Sequence, residues 1–175
     1  MGAELRRGLG VVIAALALAG CAEAGRQASP ETALAPAPML KREGVSLAAA
    51  SVAVVSLEGA PDAAGQGFQR ALARQFEARG IVSAPAGKAH YLLRAYLAAS
   101  PAEGGASLDY VVDVFDARRV RLARLGDGFG VKGAGDAWSL MSDATLDAVA
   151  GHCAEEVAAF LSNAPEAKPA LSYAN

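Results

Sequence analysis

YLLRAYLAAS at residues 91–100 and LDYVVDVF at residues 108–115 are the two stretches that decide the fold. In both of them every second residue is apolar, which is the pattern of a β-strand with one face on a core. A short connection joins the two stretches, so we predict that they pair as antiparallel neighbours. Asp116 opens a second tight turn, and residues 120–125 supply a return strand. These three strands form a predicted meander.

Three further elements complete the predicted domain. Residues 51–57, SVAVVSL, are rich in β-branched side chains and precede a turn, which is typical of a buried strand. Apolar residues at three- and four-residue spacing predict helices over about 63–79 and 142–162, the second capped by Ser142 or Asp143. The element order is βαβββα. It predicts a two-layer α+β fold with a mainly antiparallel sheet and two helices on one face.

Length and composition limit the classes of protein that remain. The 175 residues suffice for one ordinary domain, and 53% of them are hydrophobic. Sixteen Lys and Arg against eighteen Asp and Glu leave a net charge of -2, so composition gives no electrostatic support for a nucleic-acid partner. With 19% charged residues, the chain lacks the composition of a wholly disordered protein.

The N-terminus has the pattern of a signal peptide. Arg6 and Arg7 precede an uncharged stretch, residues 8–22, which is shorter than the roughly 20 apolar residues of a spanning helix. We therefore predict a cleaved signal peptide over residues 1–20.

The end of that stretch, Leu18-Ala19-Gly20-Cys21, resembles the lipobox of bacterial lipoproteins. The resemblance implies cleavage between Gly20 and Cys21 and lipid attachment to Cys21, with acyl chains such as palmitate anchoring the protein to a membrane. Ala22 follows, and the resemblance then implies the periplasmic face of the outer membrane, with the inner membrane as the alternative.

The mature chain divides into a tether, a domain and a tail. Residues 21–50 contain the lipidated cysteine and an Ala- and Pro-rich linker. Residues 51–163 form the predicted periplasmic α+β domain, and residues 164–175 are predicted to be a disordered tail. Lipidation of Cys21 would leave Cys153 as the lone thiol, which we expect to be buried in the apolar stripe of the last helix.

The sequence contains few motifs that could indicate catalysis, and none of them fits its context. Residues 128–133, GFGVKG, match a dinucleotide-binding fingerprint, but no room remains after the last helix for the parallel strand that this fold needs. His152 and Cys153 are neighbours on a helix, so they point about 100° apart and do not form a nucleophile and base pair. His90 has no metal-ligand spacing to His152. We predict no catalytic residues, no metal, no cofactor and no enzyme activity.

The outward face of the meander is more apolar than a solvated surface should be. It carries Tyr96, Val111 and Phe115 together with Arg94, and these four residues are the candidate partner contacts. Either the linker segment 39–47 or another protein is expected to cover them.

Acidic residues on the same face favour a structural interpretation. Asp109 and Asp113 share the outward side of one strand. We expect a solvated surface on which Asp113 pairs across strands with Arg94 or Arg121.

A resemblance over residues 44–162 is carried by the segments GVSL at 44–47, VAVVSLEGAP at 52–61, YLLRAYLAA at 91–99, YVVDVFD at 110–116 and WS at 138–139. Through these segments the chain resembles an uncharacterised lipoprotein family of rhizobial-type alphaproteobacteria. In the hairpin turn and before Trp138, where that family is expected to have Gly and Pro, this chain has Arg119 and Ala137. The element order is also similar to that of small periplasmic α+β modules such as the N-terminal domain of TolB and the penicillin-binding-protein activator LpoB.

These observations favour a lipid-anchored interaction module of the cell envelope, with an envelope protein as its partner. The alternative is a carrier lipoprotein that binds a lipid or small apolar ligand. A carrier would need a closed apolar pocket of about 300 Å³ or more under the helices.

Overall fold

A five-stranded sheet with two helices makes up the fold in the computed structural model, which describes residues 39–170. A one-turn 3₁₀ helix, Trp138–Leu140, precedes the second α-helix. In chain order the elements are β1 (Val45–Ser46), β2 (Ser51–Glu58), α1 (Asp62–Ala78), β3 (Val82–Ser83), β4 (Tyr91–Ala102), β5 (Gly105–Asp116), β6 (Arg121–Lys132), α2 (Asp143–Ser162) and β7 (Lys168–Pro169).

The predicted α+β class is confirmed, and the strand order within the main sheet is β3-β2-β4-β5-β6. The meander β4-β5-β6 is antiparallel as predicted. β2 runs parallel to β3 because α1 carries the chain back along the sheet between them, and residues 84–90 return the chain so that β4 also runs parallel to β2. The sheet is therefore mainly antiparallel with a parallel edge.

One core lies between the sheet and the helices. Alternate residues of β4 and β5 point into it, among them Leu93 and Leu108, and both helices bury side chains such as Phe68 and Val149 in the same cluster. Each of these four residues is at most 1% exposed. Both helices therefore cover the same face of the sheet, which leaves the other face for other contacts.

Local signals explain where the helices begin and end. The Ser142 hydroxyl accepts a hydrogen bond from the Thr145 N–H at 3.1 Å, which confirms Ser142 as the cap of α2. Gly80 follows α1 in a left-handed conformation with φ +67°, a geometry that glycine adopts without steric cost.

The strand β6 is longer than the sequence predicts. The sequence predicts a return strand that ends at residue 125, but residues 126–132 continue it to Lys132. Leu125, Phe129 and Val131 pack against the core from alternate positions, so the period of two persists through the glycines. The fingerprint match at 128–133 thus lies mostly in an antiparallel strand and not in a strand-to-helix turn.

Parts of the predicted linker and tail are ordered. Ser46 in β1 pairs with Lys168 in β7, and the Ala170 N–H donates to the Gly44 carbonyl at 2.8 Å. The buried Tyr91 hydroxyl donates to Glu166 at 2.5 Å. Residues 164–170 therefore differ from the predicted disordered tail, because backbone pairing and this hydrogen bond hold them on the domain.

The predicted signal peptide, the cleavage site and the lipid site Cys21 lie outside the described residues, as do the last five residues of the tail. In the part of the chain that the structure describes, none of the helices is both long and apolar enough to span a bilayer.

Candidate interaction site

The side of the sheet opposite the helices brings the predicted contact residues together. We call it the outer sheet face, and it is centred on neighbouring residues of β4 and β5. Three cross-strand pairs define it: Leu92 with Phe115, Arg94 with Asp113, and Tyr96 with Val111. All four candidate contact residues, Arg94, Tyr96, Val111 and Phe115, belong to these pairs.

Asp113 is buried on this face and not solvated as predicted. It is 3% exposed. Its carboxylate accepts two hydrogen bonds from the Arg124 guanidinium, from Nε and Nη2, both at 2.8 Å. Arg121 lies farther away, with Nη1 at 3.6 Å from the carboxylate. The predicted partners Arg94 and Arg121 are thus secondary, and Arg124 is the residue that sequence reasoning missed.

A β-bulge explains why Arg124 was missed. The register between β5 and β6 shifts by one residue between Val114 and Phe115, so that Arg124 lies directly opposite Asp113. Without the extra residue, the hairpin would place Ala123 there. Bulges leave no clear signal in a single sequence, although Arg119 at φ +65° in the preceding turn marks an unusual backbone.

Positive charge is concentrated around Asp113 on the outer sheet face, while Glu58 and Asp109 place two further carboxylates on the same side of the sheet. Arg94, Arg121 and Arg124 surround one carboxylate, and the hydrogen bonds from Arg124 hold the pKa of Asp113 below its ordinary value. The Arg94 guanidinium lies 5.6 Å from the centre of the Phe115 ring, a cation–π arrangement. Within residues 39–170, no carboxylate forms an ion pair with Arg94.

A shallow depression of about 730 Å³ lies on this face. Leu92, Arg94 and Phe115 form its floor on one side, and Ser56 lines it where β2 bulges. The Ser56 hydroxyl oxygen is buried and has no hydrogen-bond partner among the described residues. Glu58 also lines it, so the depression combines apolar, cationic, anionic and polar groups.

The segment 39–47 was one of the two covers expected for the candidate contact residues. It does not lie over the outer sheet face. The Arg42 N–H donates to the Ser162 hydroxyl at 2.8 Å, and the Leu40 carbonyl accepts from the Asn163 side chain at 2.9 Å. Leu47 is buried in the core. This segment lies at the end of α2, on the helical side of the domain.

The side chains of His90, His152 and Cys153 do not come together as a nucleophile and base. His152 is exposed beside the Phe129 ring, with the two ring centres 4.7 Å apart, and Cys153 is 1% exposed. Burial raises the pKa of the Cys153 thiol, so the thiolate form is disfavoured. Elsewhere, His90 Nδ1 lies 2.8 Å from the Ser51 hydroxyl oxygen and joins the start of β2 to β4.

No metal site is found within residues 39–170, where no three His, Cys, Asp or Glu side chains are close enough to hold an ion. The space between helices and sheet is filled by large buried side chains such as Phe68, Phe76 and Tyr110. A cleft of about 680 Å³ lies at the end of α2, lined by Tyr91 and Phe160, and it is open to solvent. The carrier alternative requires a closed pocket, and this cleft is not one.

The ion pair at Asp113 should be important for stability. We expect Asp113→Asn to lower the free energy of unfolding by about 1–3 kcal/mol, because three guanidinium groups would lose their one buried carboxylate. Urea unfolding of the purified chain measures this, and Asp109→Asn, an exposed residue of the same strand, is the control with little expected effect.

The pH dependence of this difference follows from the lowered pKa of Asp113. The stabilisation is complete above the ordinary value of about 3.9 and is lost as the pH falls through the lower value of the folded state. The gap between wild type and Asp113→Asn should therefore be constant from about pH 5 upward and close at more acid pH. A gap that widened on acidification would contradict the assignment.

Comparisons with known proteins find similar solved structures. No protein-family model matches the sequence, and no curated protein matches it either. The PelC dodecamer from Paraburkholderia phytofirmans is similar with TM-score 0.45 and 11% identity, over 71% of this chain and 95% of that chain. A lipoprotein from Caulobacter crescentus has a TM-score of 0.41 and 14% identity, over 66% of this chain and 89% of that chain. A minor lipoprotein from Acinetobacter baumannii has a TM-score of 0.38 and 12% identity, over 65% of this chain and 93% of that chain.

Proposed function

We propose that this chain is a lipid-anchored lipoprotein of the outer membrane that binds another envelope protein in the periplasm and performs no catalysis. The lipobox-like Leu18-Ala19-Gly20-Cys21 supports the anchor. The outer sheet face supports the binding role. The single observation that carries it is the Arg94 guanidinium 5.6 Å from the centre of the Phe115 ring, with no ion pair to a carboxylate of the described residues.

The chemistry of this face defines the partner. Three guanidinium groups around the Asp113 carboxylate leave a local positive excess, so the partner is a protein that presents carboxylates at this point. Leu92, Tyr96 and Val111 are partly buried and lie beside these charges, so the partner also presents apolar side chains. At protein interfaces, aromatic and arginine side chains are enriched among the residues that contribute most of the binding energy.

Binding without catalysis fits the surroundings of the nucleophilic and basic groups. The Cys153 thiol is buried and its pKa is raised, and His152 faces away from it on the helix surface. Catalysis needs such groups to converge on one accessible point. The filled core favours the same role over that of a carrier.

The test introduces a photo-crosslinking amino acid at Val111 in the full chain in growing cells. We expect one or more discrete crosslinked protein products, and Phe115→Glu should reduce them at least tenfold, because the new carboxylate would pair with Arg94 and repel an acidic partner. The matched control is Val82→Glu, since Val82 is exposed on β3 at the far edge of the sheet.

A charge reversal separates the electrostatic part of the proposal from the apolar part. Arg94→Glu in the same assay should reduce the products as Phe115→Glu does, whereas Arg70→Glu on the exposed surface of α1 should not. Crosslinks to lipid instead of protein, or products that survive both changes on the outer sheet face, would overturn the proposed function.

A further inference from the structure

One edge of the main sheet is long and open. β6 lies at the end of the strand order and extends over 12 residues, whereas the opposite edge is β3 with two residues. Edge strands are usually protected by shortness, proline or bulges. β6 is long and contains no proline, and its bulge lies at its first residues.

The hydrogen-bonding pattern identifies which backbone groups face the open side. The Gly133 N–H donates to the Gly104 carbonyl at 3.1 Å, which places residues 133 and 104 in a hydrogen-bonded pair. In an antiparallel ladder such pairs alternate, so the odd-numbered residues from 123 to 131 bond to β5. The backbone N–H and C=O groups that point to the open edge belong to Arg124, Gly126, Gly128, Gly130 and Lys132.

A side-chain contact supports this assignment. The Gly128 N–H donates to the carboxylate of the preceding residue, Asp127, at 2.8 Å. This contact is expected for an edge N–H that lacks a ladder partner. The next edge residue, Gly130, has nothing within 4 Å of the position that a Cβ would take. Gly126, Gly128 and Gly130 have no side chains beside their edge-facing backbone groups, so a further strand can approach this edge closely.

We propose that a second copy of this chain pairs with β6 along this edge, antiparallel and centred on Gly126. Two copies would then share one ten-stranded sheet with a two-fold axis through its centre. This inference goes beyond the proposed function, because it concerns the edge of the sheet and not the outer sheet face.

Charge complementarity selects the occupant and the register. Centring on Gly126 places Arg124 opposite Gly128 of the second copy, and the Asp109 carboxylate lies over Gly128. Each of the two copies thus offers an arginine where the other offers a carboxylate. The strand is complementary to itself in this arrangement.

Neighbouring registers lack this match. Centring on Arg124 would bring two guanidinium groups face to face, and centring on Asp127 would do the same with two carboxylates. Centring on Leu125 would place Arg124 opposite Gly126, which pairs with the apolar Val111. Like charges directly opposite each other destabilise a sheet.

Disulfide crosslinking in cells tests the proposal. Two full-length copies with different tags are expressed together, one with Leu125→Cys and the other with Asp127→Cys. In the proposed register these positions are directly opposite and not hydrogen-bonded, with Cβ atoms about 4.5–5.5 Å apart, close enough for a disulfide. We expect the mixed dimer on mild oxidation, and at least tenfold less product from either variant alone.

A control pair combines Asp127→Cys with Val82→Cys, which is exposed on the opposite edge. This pair should give no dimer above background. A dimer of equal yield from the control pair, or no mixed dimer from folded and exported chains, would overturn the proposal.

A matched substitution tests the edge itself. In the same crosslinking background, Gly130→Pro removes an N–H that points to the open edge and leaves the bonds to β5 in place. Gly130→Ala adds only a methyl group in open space. The mixed dimer should fall at least tenfold with proline and stay within twofold with alanine. Equal yields from the two variants would contradict pairing at this edge.

Discussion

Replacing Cys21 with serine should move the protein from the membrane fraction of growing cells to the soluble fraction. The lipobox resemblance implies that Cys21 carries the acyl chains, and each buried methylene contributes about 0.8 kcal/mol to membrane attachment. One chain gives marginal binding, but two or more hold a protein durably. We therefore expect at least a tenfold fall in the membrane-bound share, measured by fractionation and immunoblotting.

The control for this substitution is Cys153→Ala. Cys153 is the free cysteine of the described residues and is buried on α2. Its loss removes a thiol without touching the anchor, so the protein should stay with the membrane.

Metabolic labelling with an alkynyl palmitate analogue separates lipidation from other causes of membrane retention. Wild type and Cys153→Ala should incorporate the label, and Cys21→Ser should incorporate none. A labelled Cys21→Ser protein, or an unlabelled wild type, would contradict the lipoprotein assignment.

The strands with clean alternation were predictable from the sequence. Residues 91–100 and 108–115 fall inside β4 and β5, and the cross-strand pairs of the outer sheet face follow from their register. The two helices were predictable for the same reason, because their apolar stripes span several turns. Long periodic signals outweigh local ambiguity.

The strands β1 and β7 and the second half of β6 were not predicted, because a short segment does not encode the features that form them. β1 and β7 have two residues each, too few to show a period, and their pairing joins positions more than 120 residues apart. The glycines of β6 favour a loop by composition, although Leu125, Phe129 and Val131 keep the alternation. That alternation was the signal that could have identified the strand.

The charge arrangement of the outer sheet face was predicted in part. The sequence placed Asp113 beside arginines, but burial and the bidentate contact with Arg124 depend on the bulge. A one-residue shift in register moves every side chain to the other face. Small backbone irregularities therefore decide which residues form the site.

Gly59→Ala should be strongly destabilising, because a left-handed backbone and a close backbone approach coincide at Gly59. Gly59 follows β2 with φ +86°, and a Cβ there would overlap the carbonyl oxygen of Leu97 in β4. A left-handed alanine costs about 1–2 kcal/mol, and overlap with backbone in a packed sheet adds about 1–3 kcal/mol. We expect a loss of about 2–4 kcal/mol, after the small gain from a stiffer unfolded chain.

Two further glycines separate the two causes of this loss. Gly80 has φ +67° with open space around its missing Cβ, so Gly80→Ala should cost only the conformational part, about 1 kcal/mol. Gly130 has open space and no left-handed φ, so Gly130→Ala should change stability by less than about 0.5 kcal/mol or raise it slightly. Urea midpoints should therefore fall in the order Gly130→Ala, Gly80→Ala, Gly59→Ala. If Gly59→Ala matched Gly80→Ala, the close approach of the β2 turn to β4 would not contribute to stability, and the parallel pairing of these strands would be looser than the structure has it.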